Sequence, residues 1–298
     1  MADLDNLQHF QQVRSHLLGL AYRILGSLAD AEDAVQDTFL KWHRADGQAI
    51  ETPAAWLTTV CTRRCLDLLR SAHKSRVDYV GTWLPEPIHT PIEEGPENAS
   101  SLARSLTTAF LLVLERLTPK ERAAYLLHDI FDVSYPEIAE TLELQESTCR
   151  QLVSRARANI EQAKVRHATP LERQEQLLAA FEAAVASGSA SALAALLSDD
   201  VKLATDGGGK VPALLEALHG KAEVVDFIVK RLGEHWADYR WTMLDINGGR
   251  GAVLHKQGKI VTVAAVSFAY DDAGRVTNIY IMRNPDKLSR LGTTVGAA

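Results

Sequence analysis

The sequence predicts a multidomain chain: two all-α domains, the second carrying a helix-turn-helix, followed by an α+β domain with a curved antiparallel sheet. Three observations carry this expectation. Apolar residues recur at helical spacing over residues 4–76 and again over 118–160. A proline-rich acidic segment, 79–100, separates those stretches. Past Pro170 an alanine-rich helical run gives way to strand-like segments bounded by Gly, Asn and Asp turns. With 298 residues, 46% hydrophobic and 23% charged, the chain is soluble globular material of two or three domains.

In the first domain Leu17, Leu20, Ala21, Ile24 and Leu25 share one face of a helix that ends near Gly26. Asp30 is the expected cap of a second helix, and Glu32 and Asp33 favour its positive end. Val35, Thr38, Phe39 and Trp42 line the inner side of that helix, leaving Glu32, Gln36, Asp37 and Lys41 outside. After a loop over 45–52, Pro53 opens a third helix with Trp56, Leu57, Val60, Cys61 and Leu68. Its second half is basic: Arg63, Arg64, Arg70, Lys74 and Arg76, with His73, are opposed by Asp67 alone.

The segment 79–100 holds Pro85, Pro87, Pro91 and Pro96 and reads as an extended linker. Within it, Trp83-Leu84-Pro85-Glu86-Pro87 places a large aromatic ring in polar surroundings, so the ring needs an apolar place to rest. A generic tack onto the nearest domain and a specific docking role both satisfy that need.

Beyond the linker, Thr118-x-x-Glu121 and Ser134-x-x-Glu137 have capping-box form, with Pro119 and Pro136 just inside the helix starts. The helix after Ser134 carries Ile138, Ala139 and Leu142 inward and breaks near Glu143; the next begins at about Gln145. Cys149, Leu152, Val153, Ala156 and Ile160 give this last helix an inner face, while Ser147, Arg150, Gln151 and Ser154 point outward with Arg155 and Arg157 on the flank. Bidentate donors for base edges and cations for phosphates are the chemistry of a recognition helix. Between Arg150 and Arg166 five residues are basic and only Glu161 is acidic, in a chain of net charge −6, so the positive field is local. One residue is out of keeping: where such a turn often uses Gly this one has Glu143, which costs roughly 1 kcal/mol if it must be left-handed.

The C-terminal part predicts helices over 171–186, 191–197 and 221–232, a strand over 201–205, the loop Asp206-Gly207-Gly208-Gly209-Lys210, and four strands over 239–246, 251–256, 260–270 and 275–283 in an antiparallel meander. The glycine loop lacks phosphate-loop spacing, since Val211 and Pro212 follow Lys210, so a turn permitting close approach is expected. Cys61, Cys65 and Cys149 show neither a disulfide framework nor zinc spacing, and no metal or cofactor is expected. No charged segment followed by an apolar run stands at the start and no apolar stretch is long enough to span a bilayer, which predicts a cytoplasmic protein without membrane contact.

With these motifs in hand, residues 4–166 resemble the extracytoplasmic-function sigma factors, the small specificity subunits of bacterial RNA polymerase. Ala31 to Leu40 looks like the family's polymerase-docking helix, Trp56-Leu57 through Asp67-x-x-Arg70 like its −10 region, and 118–160 like its −35 domain. The resemblance implies core RNA polymerase and promoter DNA as partners, and four domains: 1–78 (polymerase docking and −10), 79–101 (linker), 102–166 (−35) and 167–298. It implies that Asp33, Gln36, Asp37 and Lys41 face the polymerase; that Arg63, Arg64, Arg70, Lys74 and Arg76 line −10 DNA; and that Arg150, Gln151, Ser154 and Arg155 face −35 DNA. Many members carry Asn where Arg63-Arg64 stand, in the region that holds a flipped promoter base; arginine here suits phosphate binding or stacking.

The remainder resembles the SnoaL-like cone related to nuclear transport factor two. Three motifs in order, Trp83 to Pro87, Asp206 to Lys210 and Asn284-Pro285-Asp286-Lys287-Leu288, resemble the sigma subgroup with such an extension, which implies regulation in cis without a separate anti-sigma partner. Asn284 to Leu288 also reads simply as a strand-ending turn. Two other readings of the cone remain: a cyclase or isomerase using Asp206, His219, Asp245 or His255, and a sensor of a small molecule; the expectation is a protein that is not an enzyme.

Overall fold

The computed structural model describes residues 2–45, 50–90, 105–162, 169–256 and 261–291, with backbone alone for 2–5 and 72–77. The expected DNA-facing side chains of Lys74 and Arg76, linker residues 91–101, the basic residues Lys164 and Arg166 and the strand start at 260 lie outside the described residues. The chain divides into two compact units, one formed by Met1–Val77 with Val113–Ala163 and the other by Asp78–Leu112 with Lys164–Ala298.

In the first unit, helices α1 (Ala2–Leu25), α2 (Leu28–Arg44) and α3 (Pro53–Val77) pack around Leu17, Leu20, Ile24, Val35, Trp42, Leu57, Cys61 and Cys65, all buried. Trp42 completes its hydrogen bonding by donating from Nε1 to the Asn6 carbonyl at 2.7 Å. The expected cap at Asp30 is corrected: Ser27 caps α2, its hydroxyl accepting from the Asp30 N–H, so Asp30 sits inside the first turn and serves the helix dipole instead.

Helix α4 (Thr108–Leu114) is followed by α5 (Pro119–Tyr125), which widens into a π-type turn over Leu126–Ile130, then by α6 (Tyr135–Leu142) and α7 (Glu146–Gln162). Both capping boxes form; the Thr118 and Ser134 N–H groups each donate at 3.1 Å to the glutamate three residues on. Glu143 ends α6 in the left-handed conformation, φ 54° and ψ 52°, so the strain read from the sequence is present. All five expected inner residues of α7 are buried.

The second unit is a six-stranded sheet of order β2-β1-β6-β5-β4-β3: β1 (Leu197–Asp206), β2 (Leu218–His219), β3 (Tyr239–Ile246), β4 (Gly249–Lys256), β5 (Thr262–Tyr270) and β6 (Val276–Met282). Strands β3 to β6 form the expected meander, but β1 runs parallel to β6, making the sheet mixed. After β1 and β2 the helical segments carry the chain to β3 at the far edge, and the meander returns it to β6 beside β1, a route that strand periodicity does not encode. β1 also begins at Leu197 rather than 201, because the polar Ser198-Asp199-Asp200 reads as loop although its backbone is extended.

Helices α8 (Leu171–Ser187), α9 (Ser191–Leu196), α10 (Lys221–Asp226, continuing as a π-type turn over Phe227–Leu232) and α11 (Gly233–Trp236) cover one sheet face; α12 (Pro285–Leu288) follows β6. Side-chain alternation sorts the strands into two cores. Leu203, Leu254, Val266, Ile279 and Ile281 join Phe181, Ile228 and Trp236 on the helix side. Ala204, Val253, Ala265, Tyr280 and Met282 point the other way, where they meet Leu84, Ala109, Leu288 and Leu291.

Candidate nucleic-acid interface and the strap on the sheet

On α7 the buried stripe from Cys149 to Ile160 fixes which way the arginines point. Arg150, Gln151, Ser154, Arg155 and Arg157 are all exposed. Each arginine has an acidic partner: Arg150 pairs with Glu146 at 3.1 Å, Arg155 with Glu121 at 3.1 Å, and Arg157 with Asp129 at 2.7 Å. Only the Arg150–Glu146 pair is exposed on both sides, and such a pair contributes about 0–1 kcal/mol, so a phosphate can replace that carboxylate at little expense; Glu121 and Asp129 are 12% and 16% exposed. Burial works to raise the Asp129 pKa, but hydrogen bonds from Arg157 and His128 outweigh it and hold the carboxyl below its ordinary value. A residue the sequence reading missed, Tyr135, stacks under Arg150 with the guanidinium carbon 4.3 Å from the ring centre, and its other neighbour is the His128 ring at 4.2 Å.

The basic face of α3 is arranged differently. Arg63 is exposed but engaged: its Nε donates to the Thr141 carbonyl at 3.0 Å and its Nη2 to the Glu140 carbonyl at 2.8 Å, both in the last turn of α6. Arg64 pairs with Asp37 at 2.7 Å, tying an expected DNA-facing residue to an expected polymerase-facing one, and Arg70 pairs with Asp67 at 3.0 Å. On α2, Asp33, Gln36 and Lys41 are exposed.

The part of the linker that is described, 78–90, lies as a strap across the sheet face opposite the helices. Leu84 is 1% exposed, deeper than Trp83, which is half-buried with its ring centre 4.5 Å from the Lys287 ammonium. The aromatic ring therefore rests on a cation, and the aliphatic neighbour fills the apolar seat. At the centre of the first fastening lies Asp206, fully buried. Its Oδ1 accepts from the Tyr79 hydroxyl and from the Gly208 N–H at 3.0 Å; its Oδ2 accepts from the Leu84 N–H at 2.9 Å and Lys287 Nζ at 2.8 Å. Lys287 also donates to the Leu84 carbonyl at 2.6 Å.

All three motifs thus meet in one cluster. Gly208 and Gly209 have φ of 60° and 69°, and any side chain at Gly208 would collide with the Asn284 amide, which explains the glycines by conformation and by space. Asn284 is a helix cap, accepting from the Asp286 N–H at 3.1 Å, and its amide donates to the Tyr79 hydroxyl at 3.0 Å; the motif does more than end a strand. Burial first, and then the adjoining Asp206, push the Tyr79 pKa up, so the phenol remains a donor.

A second fastening was not legible. Asn247, in the turn between β3 and β4, is left-handed at φ 52° and 2% exposed. It exchanges bonds with Ile88 at 3.0 and 3.2 Å, and its amide donates to the Leu106 carbonyl at 3.1 Å. Between the fastenings the space left beside Leu84, Pro85 and Pro87 holds no more than about one water molecule. Leu84→Ala should therefore open a cavity worth roughly 2–5 kcal/mol and loosen the strap; faster proteolysis within 78–90 checks this, and an unchanged cleavage rate contradicts it.

The residues weighed for catalysis do not converge. Asp206 is taken by the strap, Asp245 pairs with Arg250 on β4, His219 lies exposed on β2 and His255 is buried on β4. Among the described residues no cluster suits a metal ion, and no helix is long and apolar enough to cross a membrane.

Comparison with known proteins accords with this layout. Residues 9–75 match the Sigma-70 region 2 family and 107–160 match Sigma-70 region 4. The chain is 37% identical over 292 residues to the ECF RNA polymerase sigma factor SigJ of Mycobacterium tuberculosis, covering 95% of this chain and 93% of that one. It is 29% identical over 287 residues to the probable ECF RNA polymerase sigma factor SigI of the same organism, covering 95% and 94%. The crystal structure of SigJ superposes with a TM-score of 0.72 at 33% identity, covering 95% of this chain and 98% of that one.

Proposed function

The chain belongs to the extracytoplasmic-function RNA polymerase sigma factors, and we propose that its sheet domain controls, through the strap, when the two promoter-reading regions engage DNA. As a sigma factor it acts with core RNA polymerase at −10 and −35 promoter elements, in the cytoplasm where that polymerase works. The exposed Asp33, Gln36 and Lys41 of α2 are assigned to the polymerase, with Asp37 joining them once Arg64 turns to DNA. The basic face of α3 takes the −10 element and Arg150, Gln151, Ser154 and Arg155 take the −35 element. The observation that carries the regulatory reading is the Asp206 cluster, in which residues from three distant motifs hold one carboxylate. A segment that joins two DNA-reading regions yet is clamped to a third domain gives that domain leverage over both at high effective concentration. The sheet domain is not catalytic in this reading, since its acid and base groups serve the clamp or stand apart.

Runoff transcription with core polymerase tests this, comparing the whole chain with versions ending near Thr169 and just before Asn284. Output should differ among the three. Equal output would remove the control function, and failure of all three on every promoter from a genomic screen would remove initiation itself.

A further inference from the structure

We propose that Arg63 and Glu143 form a latch that closes region 2 onto the helix-turn-helix, with Arg63 binding either the end of α6 or promoter DNA. The idea rests on the reading of α3 as the −10 face. Four bonds make the contact: Arg63 to the Glu140 carbonyl and to the Thr141 carbonyl, Arg63 Nη1 to Glu143 Oε1 at 3.3 Å, and Thr59 to Thr141, hydroxyl to hydroxyl, at 2.8 Å. Arg63 thus donates to two carbonyls of the helix end, that of Glu140 also accepting from the Glu143 N–H at 3.3 Å, at the pole where a cation is favoured.

The choice of Glu143 is what singles out a latch from incidental packing. Its left-handed backbone suits Gly, and a carboxylate at a helix C-terminus is repelled by the dipole. Both placements work against the helix-turn-helix taken alone. The compensation lies outside it, in the guanidinium of Arg63, a residue also able to grip a phosphate or stack on an unpaired base. While Arg63 caps α6 its donors are engaged there, so the closed form lacks the Arg63 contact to −10 DNA. The residues occupied in the closed form are those by which this chain departs from the family pattern at −10 and from the usual glycine at the turn.

The experiment uses the full chain with fluorophores on cysteines introduced at the exposed Arg44 and Asn159, the native cysteines all being buried. Glu143→Gly should relieve backbone strain, leaving the unfolding temperature unchanged or higher, while lowering the closed-to-open ratio about two- to five-fold, as for an exposed ion pair. Runoff output should rise. Arg63→Ala should lower the ratio about ten-fold or more, having lost charge-assisted bonds to two carbonyls, but its output should fall because the −10 contact goes with it. Unchanged energy transfer in both variants overturns the latch, as does a Glu143→Gly protein that opens only because it has lost stability. If both variants open and both raise output, the latch stands and the assignment of Arg63 to −10 DNA fails.

Discussion

Asp206→Ala should free the strap and lower the stability of the second unit by about 3–5 kcal/mol, because removing one member of a buried ion pair strands the other. The Asp206 side chain is 0% exposed and that of Lys287 13%. Four donors converge on the carboxylate, so no neighbour can substitute for it without moving the strap. Asp206→Asn keeps the shape but one of its two terminal atoms becomes a donor facing donors, and should lie between parent and alanine variant. Tyr79→Phe removes a single hydroxyl and should lose about 1 kcal/mol. Urea unfolding followed by tryptophan fluorescence gives the ranking, and runoff transcription shows whether releasing the strap changes output. An Asp206→Ala protein within about 1 kcal/mol of the parent would show that the cluster is not what holds the strap.

Arg150→Ala should weaken −35 recognition by about 1–3 kcal/mol, roughly five- to 150-fold in affinity, as for loss of a bidentate base contact. The side chain is 58% exposed and backed by Tyr135, so the guanidinium is already oriented before DNA arrives. Tyr135→Ala should reproduce a fraction of the loss without touching DNA itself, whereas Tyr135→Phe, which keeps the ring, should be nearly neutral. Binding of polymerase holoenzyme to promoter DNA at several salt concentrations separates the roles. A base-reading arginine relaxes sequence preference when removed, whereas a phosphate contact lowers all affinities alike and flattens the salt slope. A uniform loss for Arg150→Ala would move it from base reading to phosphate binding.

Local chemistry accounts for what was legible. Thr118 with Glu121, and Ser134 with Glu137, announce helix starts because the capping bonds span three residues; the stripe from Cys149 to Ile160 announces its buried face for the same reason. Even the awkward backbone at Glu143 could be read. Partnerships across long separations could not. That Arg63 reaches Thr141, or that Asn247 holds Ile88, depends on register between elements far apart in sequence. The three motifs had been singled out as a set by resemblance alone, and their meeting at Asp206 follows from the parallel pairing of β1 with β6, which places the end of one beside the end of the other. Trp83 asks by its size for an apolar place to rest, yet its ring lies half-buried against Lys287 and Leu84 fills the apolar seat.

The strap also sets a clock. Leu84 precedes Asp206 by 122 residues, and at roughly 5–20 residues per second the ribosome needs about 6–24 s to supply its carboxylate partner. Lys287 comes 81 residues after Asp206, a further 4–16 s or so at the same pace. Through that interval both promoter-reading regions have been made while the fastening for the segment between them has not. On the proposed control by the sheet domain, every newly made molecule passes through a brief period outside that domain's reach, which ends when the last motif has left the ribosome.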